Sequence, residues 1–491
     1  MKNRFTIKLY NDLSFWKPVR SFYEELCTLV DFPVKERLEL ADAFYELFEN
    51  AVVHAYEGED GEIKITFEIF ENGMKIDVHD FGIPIDPKIV QSVPLNLKEK
   101  QKGLNRVYQL VDGLKFHNLG LKGKKFSILK LLPVQLRLKN ESGFYSDIGD
   151  DFDKDAKEIL RERLQVRTFK EGDEVWIPKL IYKNYGYTYF KDTFYYPEKI
   201  LQKERDGQIL SVVAQVDQKV VGHFALVRVP NSNIAEIGIA VVDPAFKGMG
   251  IMKEMFALLL QKAQEIGLDA LFGEAITFHP YSQRANARYG FKTSALLLGE
   301  VHHMVKLKDH KYPFSQNRGA VAVEYKIFKK YQPALSIPNR YRDIIQKTYA
   351  LQNIAFTTTD PQQSAKNRIT IEPNDTFKIA TIVIDTVAKE FKKTLQRAFE
   401  DAIALHPDMI YADINLHKCT NIDAVVDELR SFGFFYAGVL FLRRRDCDYL
   451  RMQFEASKNI EEQNIVCYSN FCKELHHYIL HDKDTIYKQL S

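Results

Sequence analysis

Cysteine is scarce in this 491-residue sequence. There are five, Cys27, Cys419, Cys447, Cys467 and Cys472, an odd number with no C-x-x-C pair. That argues against a disulfide framework or a cysteine zinc site of ordinary spacing, and it predicts reduced thiols in a cytoplasmic protein. No apolar run approaches the ~20 residues of a membrane span. The opening stretch MKNRFTIKLYNDLSFW lacks the apolar core and small-residue cleavage site of a signal peptide. An excess of charge is missing too. The 68 Lys and Arg stand against 66 Asp and Glu, leaving +2, so neither a nucleic-acid surface nor attraction to an anionic membrane is expected. What is present is an ordinary globular mixture, 45% hydrophobic and 27% charged, in a chain long enough for about three domains. Aromatics are abundant, with 34 Phe and 25 Tyr, and core packing is the first expectation for them.

Periodicity divides the chain. Residues 1–138 alternate strand and amphipathic-helix patterns, among them RFTIKLY, KERLELADAFYELFENAVVHAYE and a hairpin turning at Glu71-Asn72-Gly73. Residues 139–160 are polar and acidic and read as a linker. Residues 161–312 follow a strand, turn, helix, strand order. Residues 313–458 return to that order, and RANARYGFKTSALLLG compares with VDELRSFGFFYAGVLF as a weak internal duplication. Residues 459–491 read as a peripheral helical tail.

Three short stretches in the first segment share a chemistry. ELFENAVVHAYE places Glu46, Asn50 and His54 four residues apart on one helix side, with Leu47, Phe48, Ala51, Val52 and Val53 as core. Asn50 offers an oxygen to Mg²⁺, and Glu46 can accept a proton. In VHDFGIP, Asp80 can accept from an adenine amino group and Gly82 permits close approach. KGLNRVYQLVD is a glycine turn opening a helix, a place where phosphate can bind. Each stretch alone is ordinary, since an E-x-x-x-N pair is more often a surface pair. Their order and spacing carry the weight.

In that order, residues 1–135 resemble the anti-sigma-factor serine kinases of the GHKL (HATPase) superfamily. E-x-x-x-N-A-x-x-H-A-Y is matched by Glu46, Asn50, Ala51, His54, Ala55 and Tyr56, D-x-G-x-P by Asp80, Gly82 and Pro84, and the lid end by Lys102, Gly103 and Leu104. The resemblance implies ATP with Mg²⁺, Glu46 as general base, Asn50 as metal ligand and Asp80 as adenine contact. Gly82, Gly103 and Leu104 would border the nucleotide beneath a lid at about residues 85–102. It further implies serine-kinase activity on an anti-sigma-antagonist-like protein, and a homodimer. Asn105 replaces the family's second glycine, which weighs against kinase turnover.

EIGIAVVDPAFKGMGIMKEMFALLL carries a second signal. Its strand ends at Val242, Asp243-Pro244 turns it, and Gly248 and Gly250 precede a helix, a turn able to grip a pyrophosphate. A glycine-rich turn with no ligand is an equally good reading of the loop alone. The run resembles the GNAT N-acetyltransferases, with Lys247 at the Arg/Gln position, Gly250 as the first loop glycine, Met252 at the second small position, and Gly290-Phe291 as the G-F motif. The resemblance implies acetyl-CoA or another acyl-CoA held by the backbone of Val242, Lys247, Gly248, Met249, Gly250, Ile251 and Met252, an amine acceptor, and Glu236 as general base. Asn286 occupies the position where the family often has a tyrosine acid. The aromatic run YKNYGYTYFKDTFYYPEKI reads either as an acceptor lip or as a packed helix pair.

The fold expected is α+β and multidomain, a GHKL-type α/β sandwich followed by tandem GNAT-type folds, the second degenerate and without CoA. The function expected is an acyl-CoA-dependent N-acyltransferase coupled to an ATP-binding regulatory module. The other reading is a partner-switching regulator whose GNAT folds sense ligand or act as scaffold. His477 and His481 lie at i, i+4 without a third ligand nearby, and a plain helix face is expected there.

Overall fold

The computed structural model describes residues 3–29, 32–70, 73–85, 103–131, 161, 163–302, 317–457, 459–462 and 464–490. The expected linker 139–160 and all of the expected lid but Ile85 lie outside them. Two compact units are formed. The first comprises Met1–Arg205, Val213–His223 and Val241–Ile251, and the second comprises Asp206–Val212, Phe224–Ala240 and Met252–Ser491.

In the first unit, strands β1 (Asn3–Tyr10), β2 (Glu62–Phe70), β3 (Gly73–Asp80), β4 (Gly113–Asn118) and β5 (Lys124–Leu131) form an antiparallel sheet in the order β1-β2-β3-β5-β4. Helices α1 (Trp16–Leu29), α2 (Val34–Glu49) and α3 (Leu104–Leu110) share its hydrophobic core. Alternation puts Ile63, Ile65, Phe67 and Ile69 of β2 inside. Helical spacing does the same for Leu40, Phe44, Leu47 and Phe48 of α2. Phe44 joins the two layers, its ring 5.6 Å from Phe67 and 5.1 Å from Trp16. Each such fully buried aromatic stabilises the fold by about 1.5–3 kcal/mol. Strand β4 is short and half-buried and carries little alternation.

The end of α2 departs from expectation. At Asn50 the helix passes into a π turn, Asn50–His54, in which the Ala55 amide donates to the Asn50 carbonyl at 3.1 Å. The wider turn rotates the following side chains. Val53, expected in the core, is 44% exposed, and His54 is exposed and out of α-helical register with Asn50. The first unit also contains β6 (Leu164–Thr168), α4 (Ile177–Tyr185) and α5 (Pro197–Arg205). Strands β7 (Ile209–Val216), β8 (Lys219–Arg228) and β9 (Ile234–Val242) contribute residues to each unit.

The second unit continues with α6 (Ile251–Glu265), β10 (Ala270–Ile276), α7 (Tyr281–Arg288), β11 (Lys292–Val301) and β12 (Gly319–Ile327). The short parallel pair β13 (Ala334–Leu335) and β14 (Thr357–Thr358) brackets α8 (Arg342–Leu351). Then come β15 (Arg368–Asn374), β16 (Ile379–Thr386), α9 (Lys392–Ala404), β17 (Met409–Asn415), α10 (Ile422–Ser431), β18 (Phe435–Arg444), β19 (Cys447–Glu455) and α11 (Asn470–Leu490). Its strands run β15-β16-β17-β19-β18-β11-β12-β10-β9. The order β16-β17-β19-β18 is met in reverse by β11-β12-β10-β9. In each set two parallel strands precede an antiparallel pair. The two sets meet at a single register pair, Ala295 opposite Gly438.

Two expectations need correction here. The tail is integral rather than peripheral: Asp482 of α11 is buried and accepts from the Tyr341 hydroxyl at 2.8 Å and from the Tyr436 amide of β18 at 2.9 Å, and Ile479 and Leu475 are fully buried. The thiols are not all reduced. Cys467 is paired with Cys472, whose Cα atoms lie 5.4 Å apart at the entry to α11, within bridging reach. Cys27, Cys419 and Cys447 are free and buried.

Gly438 is a test of the β11–β18 junction. Its φ is +147°, and a methyl there would lie 2.3 Å from the Ala295 Cα and from the Ser294 carbonyl oxygen. Gly438→Ala is expected to cost about 2–3 kcal/mol through overpacking. Gly207→Ala, with φ +64° and open space around it, should cost about 1 kcal/mol. Calorimetry giving equal losses for the two would contradict the close approach.

Candidate functional site

The three stretches of the first unit converge. The turn at Phe81–Pro84 is tied to the end of the α2 motif, for the Ile83 amide donates to the Ala55 carbonyl at 2.7 Å. Gly82 is required there because a Cβ would lie 2.0 Å from that carbonyl oxygen. The Tyr56 hydroxyl accepts from the Phe81 amide at 2.8 Å. At the other end, Glu46 accepts from the Gly103 amide at 3.0 Å and lies 3.6 Å from the Arg106 guanidinium. Short contacts thus join Glu46 to Gly103 at one end and Asp80, Gly82 and Ala55 at the other, while Asn50 opens the π turn between them and Leu104 opens α3 as a buried residue. Asn105 Oδ1 is buried without a hydrogen-bond partner among the described residues.

The base end of this arrangement holds groups that sequence reasoning missed. Asp80 is 2% exposed and accepts from the Gly82 amide at 3.0 Å. It also forms a buried ion pair with Lys124, its register partner across β3 and β5. The Gly82 carbonyl accepts from the Tyr187 hydroxyl at 2.7 Å. Burial, with the Asp80 charge beside it, pushes the Tyr187 phenol well above its ordinary pKa. Asp80 Oδ1 and the Gly82 carbonyl are therefore both engaged by donors of the protein itself. The metal end, with Glu46 half-buried and Asn50 beside it, does present oxygen donors of the kind Mg²⁺ takes.

The loop after β9 is shaped differently. Asp243 caps it, accepting from the Ala245 amide at 3.2 Å, and a 3₁₀ turn, Pro244–Phe246, follows. Gly248 and Gly250 have φ of +86° and +77°. Left-handed turns of this kind can present successive amides to an anion, and the first N–H groups of α6 have no intrahelical acceptors. Nothing lies within 4 Å of a Cβ on Gly248, and one on Gly250 would meet the Arg161 guanidinium at 3.4 Å. A cation beside a turn of exposed amides suits a pyrophosphate. Val242, Met249 and Ile251 are buried, and Met252 is half-buried.

Glu236 stands where β9 and β10 part. The parallel pairing holds for Ile234–Ala270, Ala235–Leu271 and Glu236–Phe272 and then stops, while Ile239 takes a φ of +60°. The half-buried Glu236 carboxylate reaches over Gly238. By contrast, β16 and β17 stay paired over six residues, Ile379–Met409 to Ile384–Ile414, and leave no such opening. Asn286 lies over Gly273, the next residue of β10, and donates to Glu324 at 2.9 Å. Tyr289 is occupied in packing, stacked on Phe256 at 4.1 Å. Among the described residues no cluster of His, Cys, Asp or Glu could hold a metal ion, and no helix is long and apolar enough to cross a membrane.

Comparison with known proteins matches residues 11–128 to the histidine kinase-like ATPase domain and residues 177–291 to the acetyltransferase (GNAT) family. The anti-sigma F factor of Clostridium novyi (strain NT) is 28% identical over 138 residues, 27% of this chain and 94% of that protein. Among solved structures, an N-acetyltransferase from Staphylococcus aureus Mu50 is 17% identical, covering 34% of this chain and 99% of its own, with a TM-score of 0.27. The ribosomal-protein-S5-alanine acetyltransferase from Vibrio fischeri is 15% identical, with 38% and 100% covered and a TM-score of 0.28.

Burial raises the Glu324 carboxyl to about 8, above the roughly 4.3 of a free glutamate. The native state therefore binds this proton more tightly than the unfolded chain. The stabilisation is fully present below pH about 4.3 and is lost as pH rises through about 8. Glu324→Gln, which keeps an acceptor for Asn286, should flatten the fall in melting temperature between pH 5 and 8.5. An unchanged pH slope would show that Glu324 does not hold its proton.

Proposed function

We propose that this chain, which joins a histidine kinase-like ATPase domain to a GNAT domain, is an acyl-CoA-dependent N-acyltransferase whose activity answers to nucleotide at its N-terminal domain. The observation that carries the reading is the pair of features around β9: strands that separate after Glu236–Phe272, and a glycine loop with left-handed turns at Gly248 and Gly250. Acetyl-CoA, when bound, supplies a thioester carbonyl carbon for an amine to attack. The amides of Lys247 to Met252, with the Arg161 guanidinium, would hold its pyrophosphate. Glu236 would take the proton that the acceptor amine must lose as its nitrogen bonds to carbon. Asn286 is held by Glu324, so the group at the usual acid position is an amide donor and not a phenol. A thiol's pKa of about 8.5 lets the thiolate depart without a strong acid.

The mirrored strand order supports residues 313–458 as a second GNAT-type fold, and the unbroken β16–β17 pairing supports its having no acyl-CoA site. A second reading is favoured by the likeness, over 138 residues, to an anti-sigma F factor. In it the N-terminal domain binds a protein partner, of anti-sigma-antagonist type, in a nucleotide-dependent way.

Titration of the full chain with acetyl-CoA tests the first reading. Gly250→Glu puts a carboxylate beside the phosphates and should weaken binding by at least about tenfold, or ~1.4 kcal/mol. Glu236→Gln should leave the affinity alone and lower kcat with an amine panel by about 10²–10⁴. Acyl transfer that survives Gly250→Glu would overturn the assigned site. Saturable Mg·ATP binding that disappears in Asn50→Ala would assign the metal end of the first.

A further inference from the structure

The tyrosine-rich segment that precedes β7 in the chain belongs to the same compact unit as residues 1–131, and it packs against the Phe81–Pro84 turn. Tyr187 donates to the Gly82 carbonyl at 2.7 Å. Its ring stacks on Tyr195 at 5.2 Å and meets Tyr182 edge-on at 5.4 Å. Tyr195 in turn is fully buried, and its hydroxyl donates to the Gly186 carbonyl at 2.7 Å. The far side of the segment is fastened to the β4–β5 connection. Asn118 donates to the Tyr195 carbonyl at 2.9 Å, and the Leu121 amide donates to Asp192 at 3.1 Å. Gly120 is so close that a Cβ would lie 2.4 Å from the Tyr196 hydroxyl oxygen. A half-buried phenol packed among rings in this way is stabilised by keeping its hydrogen bond.

The same segment grips the acyl-CoA loop. Lys183, on the last turn of α4, lies 3.2 Å from the carboxylate of Asp243, the loop's buried cap, and 3.9 Å from Glu57, three residues past the π turn. Asn184 donates to the Val242 carbonyl at 3.1 Å. Four residues therefore separate a side chain on the base end of one site from a side chain on the cap of the other.

We propose that residues 182–196 form a stopper in cis at the base end of the nucleotide site, and that through Lys183 and Tyr187 the binding of nucleotide and of acyl-CoA oppose one another. The proposal rests on the reading of Glu46, Asn50, Asp80, Gly82, Gly103 and Leu104 as a nucleotide site and of 242–252 as an acyl-CoA loop. A purine that reaches Asp80 must displace Tyr187 from Gly82. Withdrawal of Tyr187 moves the end of α4, parts Lys183 from Asp243 and leaves that buried carboxylate without its cation, which slackens the loop cap. Linkage makes the effect reciprocal, so acyl-CoA that tightens the loop holds the stopper in place.

The test is titration calorimetry on the full chain with Mg·ATP, with acetyl-CoA, and with each in the presence of the other. Saturating Mg·ATP should raise the acetyl-CoA Kd about tenfold, within the usual range of coupling between sites. Tyr187→Ala should bind Mg·ATP about tenfold more tightly than wild type and abolish the coupling. If circular dichroism shows that variant unfolded, Tyr187→Phe, which keeps the ring and loses only the hydrogen bond, should still bind nucleotide about threefold more tightly, a gain of the size one such bond carries. Lys183→Gln, at a partly exposed position, should keep the wild-type Mg·ATP affinity and lose the coupling. Both ligands bound with unchanged constants in each other's presence would overturn the proposal and leave the two sites standing. Acetyl-CoA binding with no Mg·ATP binding to wild type or to either Tyr187 variant would overturn the nucleotide site and the proposal together.

Discussion

One hydrogen bond of a half-buried phenol organises the first unit. The Tyr187 hydroxyl donates to the carbonyl of Gly82, in the Phe81–Pro84 turn. Gly82 is itself fixed by the Ala55 carbonyl on one side and the Asp80 carboxylate on the other. The one hydrogen bond therefore ties the end of α2, the end of β3 and the segment after α4 to a common geometry. Asp80 is balanced by Lys124. A buried ion pair of this kind adds little net stability, but removal of either member strands a charge. On the proposed reading, a ligand at the base end would have to compete with these protein groups, which is the property a switch needs.

The strand geometry sets the other constraint. Parallel strands that stay paired leave no room between them, as in β16 and β17, whereas the pairing of β9 with β10 ends after three residues, at Glu236–Phe272. One pattern of strands thus occurs twice, once with its parallel pair released early and once with it held. The difference lies in register and not in fold class.

Much of this was legible in the sequence because it is local. The E-x-x-x-N helix, the D-x-G-x-P turn and the K-G-M-G loop each lie within a dozen residues, and strands such as β2 and helices such as α2 declare themselves by period. What was not legible is mostly non-local. Tyr187 and Gly82 are 105 residues apart, and Lys124 meets Asp80 only because β5 pairs with β3. The run around Tyr187 read equally as an acceptor lip or a packed helix pair. Its packing against the ATPase turn is a third arrangement that composition alone could not suggest. The π turn at Asn50–His54 escaped because a 3.6-residue period cannot register it, and it moved Val53 and His54 outward. The Cys467–Cys472 pair escaped because a lone C-x₄-C spacing carries no framework signal.

Hydrogen–deuterium exchange of the full chain, read by mass spectrometry with and without Mg·ATP, tests the central claim most directly. Nucleotide should slow exchange around residues 46–56 and 80–85 and at the same time accelerate it across residues 182–196, as the tyrosines leave the base end. Slowed exchange around residues 46–56 and 80–85 with residues 182–196 unchanged would contradict the account and leave the two candidate sites as independent binders on one chain.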